Sequence, residues 1–266
     1  MVEYEYKNLM ANAGLAGLYT SQNGSQPLFS TKAKLCPMCL GPMLPQYVYC
    51  YHCSQARDGL HKALLPDTIS FLAYAGATDQ SRFDFHQYKN CTQPGTPNPG
   101  FLRIQALVSD FIAHHAKCMT NYVRAPVQEL AFVPSGKVDR YGTTSPISQL
   151  IGQDNHDNII QRNKPRTETR DKGIDPSRYT VTKEVSDRHV LLFEDTWVTG
   201  TNSLSAAAAL KHAGAEHVSL VVFGRYLAPA KYDIHRQWLL ENQLRSYDVA
   251  FCPVTKSYQC PPHFRF

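Results

Sequence analysis

The stretch Val190-Leu-Leu-Phe-Glu194-Asp195-Thr196-Trp197-Val198-Thr199-Gly200-Thr201-Asn202 constrains the fold more than any other part of the chain. Val190 to Phe193 is a short apolar run of the kind that a parallel sheet buries on both faces. After Asn202 comes Ser-Leu-Ser-Ala-Ala-Ala-Ala-Leu-Lys-His-Ala, a run of mostly strong helix formers that Gly214 stops. Strand, loop and helix in that order predict an α/β unit with its loop at the strand's carboxyl end. Unpaired N–H groups at the helix start suit a phosphate, and Thr199, Gly200 and Thr201 let the main chain approach one closely. Glu194 and Asp195 repel that phosphate, so they suit vicinal hydroxyls or a metal ion. The plain alternative is an ordinary α/β turn whose acids are solvated.

Far upstream stand two Cys-x-x-Cys pairs, Cys36-Pro-Met-Cys39 and Cys50-Tyr-His-Cys53, separated by ten residues. Four thiolates so spaced suit a tetrahedral zinc ion, and the short, turn-rich connection predicts a ribbon that returns the second pair to the first. With four protein ligands the ion has no open position for water, so its expected role is structural. His52, inside the second pair, reads as a bystander. A disulfide framework is the alternative. The other cysteines, Cys91, Cys118, Cys252 and Cys260, show no matching spacing, and His114 and His115 read as a helix end near solvent.

Two acids, three residues and then Thr-Gly resemble the phosphoribosyl pyrophosphate (PRPP) loop of type I phosphoribosyltransferases. The resemblance implies that Glu194 and Asp195 contact the ribose hydroxyls at the catalytic centre. It also implies that Thr196, Trp197, Val198, Thr199, Gly200, Thr201 and Asn202 wrap the 5′-phosphate. An amino-terminal four-cysteine ribbon followed by such a loop is similar to the ComF family. That likeness implies an α/β fold of the type I phosphoribosyltransferase class: a doubly wound parallel sheet with a flexible lid loop, plus a small zinc ribbon. The expected division is residues 1–62 for the ribbon module with its extension and residues 63–266 for the phosphoribosyltransferase-like domain. The signature that many ComF proteins carry after Val-Pro is not recognisable in Val138-Asp-Arg-Tyr-Gly-Thr-Thr-Ser-Pro146, so the chain reads as a divergent branch.

Leu130-Ala-Phe-Val133-Pro134-Ser135-Gly136-Lys137 reads as an apolar strand ending in free amides, a hydroxyl and an ammonium, a nest that favours an anion. The resemblance makes this the pyrophosphate loop, with Ser135, Gly136 and Lys137 on the diphosphate; a surface turn with a solvated lysine is the alternative. From Gln161 to Arg178 run six cations against three acids with almost no apolar residue, too little to bury. Related enzymes close a basic loop over PRPP at this place, so Arg162, Lys164, Arg166 and Arg170, with Lys172, are expected on a lid. A solvated loop or a nucleic-acid contact stays open for each of them.

The rest bounds these readings. A chain of 266 residues holds one sizeable core plus a small module. Its formal charge of +5 fits an anionic substrate or weak nucleic-acid affinity and specifies neither. The start Met-Val-Glu-Tyr-Glu-Tyr lacks the basic onset of a secretion signal, and no stretch approaches a membrane span, so a cytoplasmic protein with no membrane partner is expected. Phe101 to Met119 has helical apolar spacing, Gln93 to Gly100 reads as a loop, and His217 to Phe223 reads as the next parallel strand. Taken together, the resemblance implies Zn2+ in the ribbon, Mg2+ with PRPP, and transfer of phosphoribosyl to an unknown nitrogenous acceptor with release of pyrophosphate. The alternative is a non-catalytic PRPP sensor or a ComF-type protein associated with single-stranded DNA in DNA uptake. Homodimer formation is compatible with either.

Overall fold

A computed structural model of the chain describes residues 33–76, 80–88, 99–137, 142, 145–153, 157–165, 173–242 and 247–263. The elements in order are β1 (Lys34–Leu35), β2 (Pro42–Met43), α1 (Tyr51–Gly59), β3 (Thr68–Ala75), α2 (Gln80–Gln87), α3 (Pro99–Val123), β4 (Val127–Phe132) and α4 (Ser145–Leu150). There follow β5 (Ile160–Arg162), β6 (Tyr179–Val181), β7 (His189–Trp197), α5 (Thr201–His212), β8 (His217–Tyr226) and α6 (Asp233–Asn242).

Four strands form an all-parallel sheet in the order β3-β8-β7-β4. Strands β7 and β8 take the centre because they are apolar on both sides, as a strand covered on both faces must be. Alternate side chains then feed two cores. Val190 and Leu192 of β7 pack with Leu204, Ala207 and Leu210 of α5, while Leu191 and Phe193 pack with Ile104, Leu107 and Phe111 of α3. The mixed α/β class and the parallel sheet with helices on both faces are as the sequence predicts. At the far end of the sheet, Asp67 ties three elements: its carboxylate accepts from the Val218 N–H at 2.8 Å and meets the Lys211 ammonium at 2.7 Å.

Two boundaries differ from expectation. Pro99 and Gly100, read as loop, open α3, since proline at the first helical position loses no hydrogen bond there. His115, read as lying at a helix end near solvent, is buried in mid-helix, because α3 continues to Val123. The cysteine-bearing segment packs into the same core as the sheet: Cys36, Cys39, Leu40 and Met43 cluster with Tyr74, Val222 and Trp238. The Tyr74 hydroxyl donates to the Leu40 carbonyl at 2.8 Å. No helix among the described residues is long and apolar enough to cross a membrane.

Candidate functional site

In a parallel sheet every carboxyl end lies on one edge, where the following loops converge. Strand β7 runs two residues beyond the acids, because Thr196 and Trp197 still pair with Gly224 and Arg225 of β8. Glu194 and Asp195 therefore belong to the strand rather than to the loop after it, and alternation turns them to opposite faces. Both are buried, at 7% and 6% exposure. Glu194 Oε2 accepts from the Ser203 hydroxyl at 3.3 Å, in the first turn of α5, and Asp195 Oδ2 accepts from the Tyr88 hydroxyl at 2.9 Å.

The loop after β7 turns through Gly200, which caps α5 with φ +84 and offers no side chain to the first-turn amides. A Cβ there would stand 2.1 Å from the Trp197 ring, so only glycine fits. Among the residues expected around a phosphate, Trp197 departs: its ring is in the core, edge-on to Phe71 at 5.4 Å, because a large aromatic gains more from burial than from the loop surface. From Thr196 to Asn202, the exposed or half-exposed side chains are Thr196, Val198, Thr199, Thr201 and Asn202, and the Thr199 and Thr201 hydroxyls are 3.0 Å apart.

Beside this loop lies the turn after β4. The Val133 N–H donates to the Phe193 carbonyl at 2.9 Å, which leads the chain along β7 into Ser135, Gly136 and Lys137. The Ser135 hydroxyl accepts from the Lys137 N–H at 3.3 Å. A Cβ on Gly136 would stand 2.8 Å from Arg162 Cζ, so glycine admits the guanidinium. Arg162 in turn donates to the Tyr179 hydroxyl at 3.0 Å, the Asn202 side-chain oxygen at 3.3 Å and the Lys164 carbonyl at 2.9 Å. This corrects its expected place on a swinging lid. Arg162 is buried at 6% exposure in β5, which pairs antiparallel with β6, and its bonds anchor it between the two loops. Lys164 is exposed at the hairpin's mouth, whereas Arg166, Arg170 and Lys172 lie outside the described residues.

The four cysteines do come together. The sulfurs of Cys36, Cys39, Cys50 and Cys53 all lie within 4.8 Å of one another, and His52 supplies no atom to the group. Cys36 and Cys39 sit on a tight turn closed by the Leu40 N–H on the Cys36 carbonyl at 2.8 Å, with Leu40 at φ +53. The second pair differs from the ribbon expectation: Cys50 precedes α1 and Cys53 lies in its first turn, so a helix amino end carries them, and hydrogen bonds to Cys36 and Cys39 push both of these thiols up. Hydrogen bonds from Cys36, Cys50 and Cys53, helped by the Arg225 charge, hold the Cys39 thiol well below its ordinary value against burial. For Cys36, the Cys39 hydrogen bond pushes up, but bonds to Cys50 and Cys53 leave it at about 7. Four convergent soft donors, two of them disposed to lose their protons, are what a metal ion requires.

Arg225, at the end of β8, joins the cysteine group to the β7–α5 loop. Its Nε donates to the Cys39 carbonyl at 2.8 Å, Nη2 to the Cys39 sulfur at 3.4 Å, and Nη1 to the Trp197 and Val198 carbonyls at 3.2 and 3.3 Å. Gly41 makes room, since a Cβ there would stand 2.4 Å from Arg225 Nη2. Sequence reading found the cysteines and both loops but not Arg162 and Arg225 as their connectors; a lone arginine at a strand end carries no local pattern. Comparison with models of known families, with curated proteins and with solved structures returns no match.

Proposed function

We propose that the chain is a phosphoribosyltransferase-like protein that binds PRPP with Mg2+ and transfers its phosphoribosyl group to a nitrogen nucleophile. The carrying observation is the buried Arg162 guanidinium, which touches Gly136 of one loop and Asn202 at the uncapped amino end of α5 in the other. A fixed cation between two amide-rich loops at the carboxyl edge of a parallel sheet suits a ligand with phosphate at both ends. In this reading Thr199, Thr201 and the α5 amides hold the 5′-phosphate, Ser135 to Lys137 hold the diphosphate, and Arg162 offsets charge between them. Glu194 and Asp195, on opposite faces, orient the ribose and favour the positive charge that builds on its ring as C1–O breaks and C1–N forms. Pyrophosphate departs with the C1–O electron pair, and the proton lost by the acceptor nitrogen passes to that pyrophosphate or to water. Mg2+ would come with the diphosphate, whose own oxygens would hold it, and would offset its charge. The four-cysteine group holds structural Zn2+, which, through Arg225, steadies the β7–α5 loop.

Calorimetric titration of the full chain with PRPP in Mg2+ buffer tests this. Saturable heat, weakened about tenfold or more in Asp195→Asn at unchanged melting temperature, supports the assignment. Absence of binding at millimolar PRPP removes it. Pyrophosphate release on adding bases or amines separates an enzyme from a PRPP sensor, and salt-sensitive affinity for single-stranded DNA without PRPP binding would favour the DNA-associated alternative.

A further inference from the structure

Helix α3 carries His115 and Cys118 three residues apart, which places both on one face. Residues 247–263 lie against that face. His115 Nδ1 stands 3.9 Å from the Cys118 sulfur and 3.7 Å from the Cys260 sulfur. Cys252 completes a group whose four donor atoms all lie within 4.8 Å of one another. Ligands about 2.0–2.3 Å from a tetrahedral zinc ion stand roughly 3.5–3.8 Å apart, so the group needs only slight contraction to close on one.

Two independent features support a ligand there. The backbone at Cys252 repeats the turn that presents Cys36. At Cys36 the N–H donates to the carbonyl five residues on, Gly41, at 2.9 Å; the carbonyl accepts from the residue four on, Leu40, at 2.8 Å; and Leu40 has φ +53. At Cys252 the N–H donates to the Ser257 carbonyl at 2.8 Å, the carbonyl accepts from the Lys256 N–H at 2.9 Å, and Lys256 has φ +59. The two turns also touch, through the Lys256 ammonium on the Pro37 carbonyl at 3.1 Å. The second feature is the His115 ring. Its Nε2 lies 2.9 Å from the Val249 carbonyl, which accepts the ring proton and leaves the Nδ1 lone pair facing the sulfurs. A backbone carbonyl behind a ligating histidine is the usual way of fixing its tautomer.

We infer that His115, Cys118, Cys252 and Cys260 form a second, structural zinc site that clamps residues 247–263 onto α3. Three sulfurs and an imidazole exclude hard cations such as Mg2+, and the narrow span suits a single ion rather than an iron–sulfur cluster. All four positions come from the protein, so no substrate position remains, and binding releases the thiol protons. The inference is independent of the PRPP reading.

Elemental analysis of the full chain and of Cys118→Ser/Cys252→Ser decides it. The expected result is one zinc fewer per chain in the variant, two falling to one if the four-cysteine group is also filled. An unchanged count, or a Cys118–Cys252 disulfide in the native protein, overturns the inference. Should the variant fail to fold, X-ray absorption on the native protein is decisive. With both sites filled, four sulfurs at one and three at the other average 3.5 per zinc, with imidazole scattering. An all-sulfur shell without histidine refutes the site.

Discussion

Arg225→Met removes the cation that links the cysteine group to the β7–α5 loop while keeping a long apolar stem. The native Arg225 is 4% exposed and donates to the carbonyls of Cys39, Trp197, Val198 and Tyr226 and to the Cys39 sulfur. Each buried acceptor left unpaired costs about 1–3 kcal/mol. Against this, methionine spares the burial of a charge, and the exposed Val198 end can reach water, so a net loss of about 3–5 kcal/mol is expected. At roughly 2–4 °C per kcal/mol for a chain of this size, the melting temperature falls by about 6–20 °C. Cys39 also loses its N–H···S donor, and removal of such an outer partner weakens a metal site by about 10–100-fold. Thermal denaturation in excess zinc, paired with release of zinc to a chromophoric chelator, reads both effects. Arg225→Lys, with three donors in place of a planar fork, should fall between. A melting temperature within about 2 °C of the native value, together with native chelator resistance, would refute the connecting role.

Other substitutions probe the neighbouring claims. Gly200→Ala should cost about 2 kcal/mol or more, since alanine at φ +84 is strained and its Cβ meets the Trp197 ring; an unchanged urea midpoint would show that the turn relaxes freely. Cys36→Ser should lose one zinc per chain and lower the melting temperature, and a variant with full zinc would strike Cys36 from the ligand set. His189 tests pH linkage. Burial first, and the nearby His217 charge, lower its pKa, although its hydrogen bond to the Ala125 carbonyl opposes them. A folded value below the unfolded one of about 6.5 means that the unfolded chain binds the extra proton. Its contribution is therefore complete above about pH 6.5 and is lost as pH falls below it; urea midpoints at about pH 7.5 and 5.5 should diverge less in His189→Gln than in the native chain.

The central strands were legible because Val190 to Phe193 and most of Val218 to Phe223 are apolar at successive positions, as a strand covered on both faces requires. Helix α5 was legible because an alanine-rich run ends at Gly214, which adopts φ +96. The end of β7 was not, since pairing of Thr196 and Trp197 to β8 is a property of the neighbour strand. Arg162 was misplaced for a like reason: a polar, basic composition describes the segment on average, whereas the bonds to Tyr179 and Asn202 hold one of its members inside.

Spacing in the chain by itself determined that Cys36, Cys39, Cys50 and Cys53 could converge, because two short pairs joined by ten residues have few ways to lie apart. Only the tertiary structure decided that His115 and Cys118 face Cys252 and Cys260, residues more than a hundred positions away. It likewise decided that Arg225 reaches Cys39 across 186 positions. Local chemistry sets strands, turns and helix ends, while partners so distant in sequence leave no periodic trace and are chosen when the two faces of the sheet are covered.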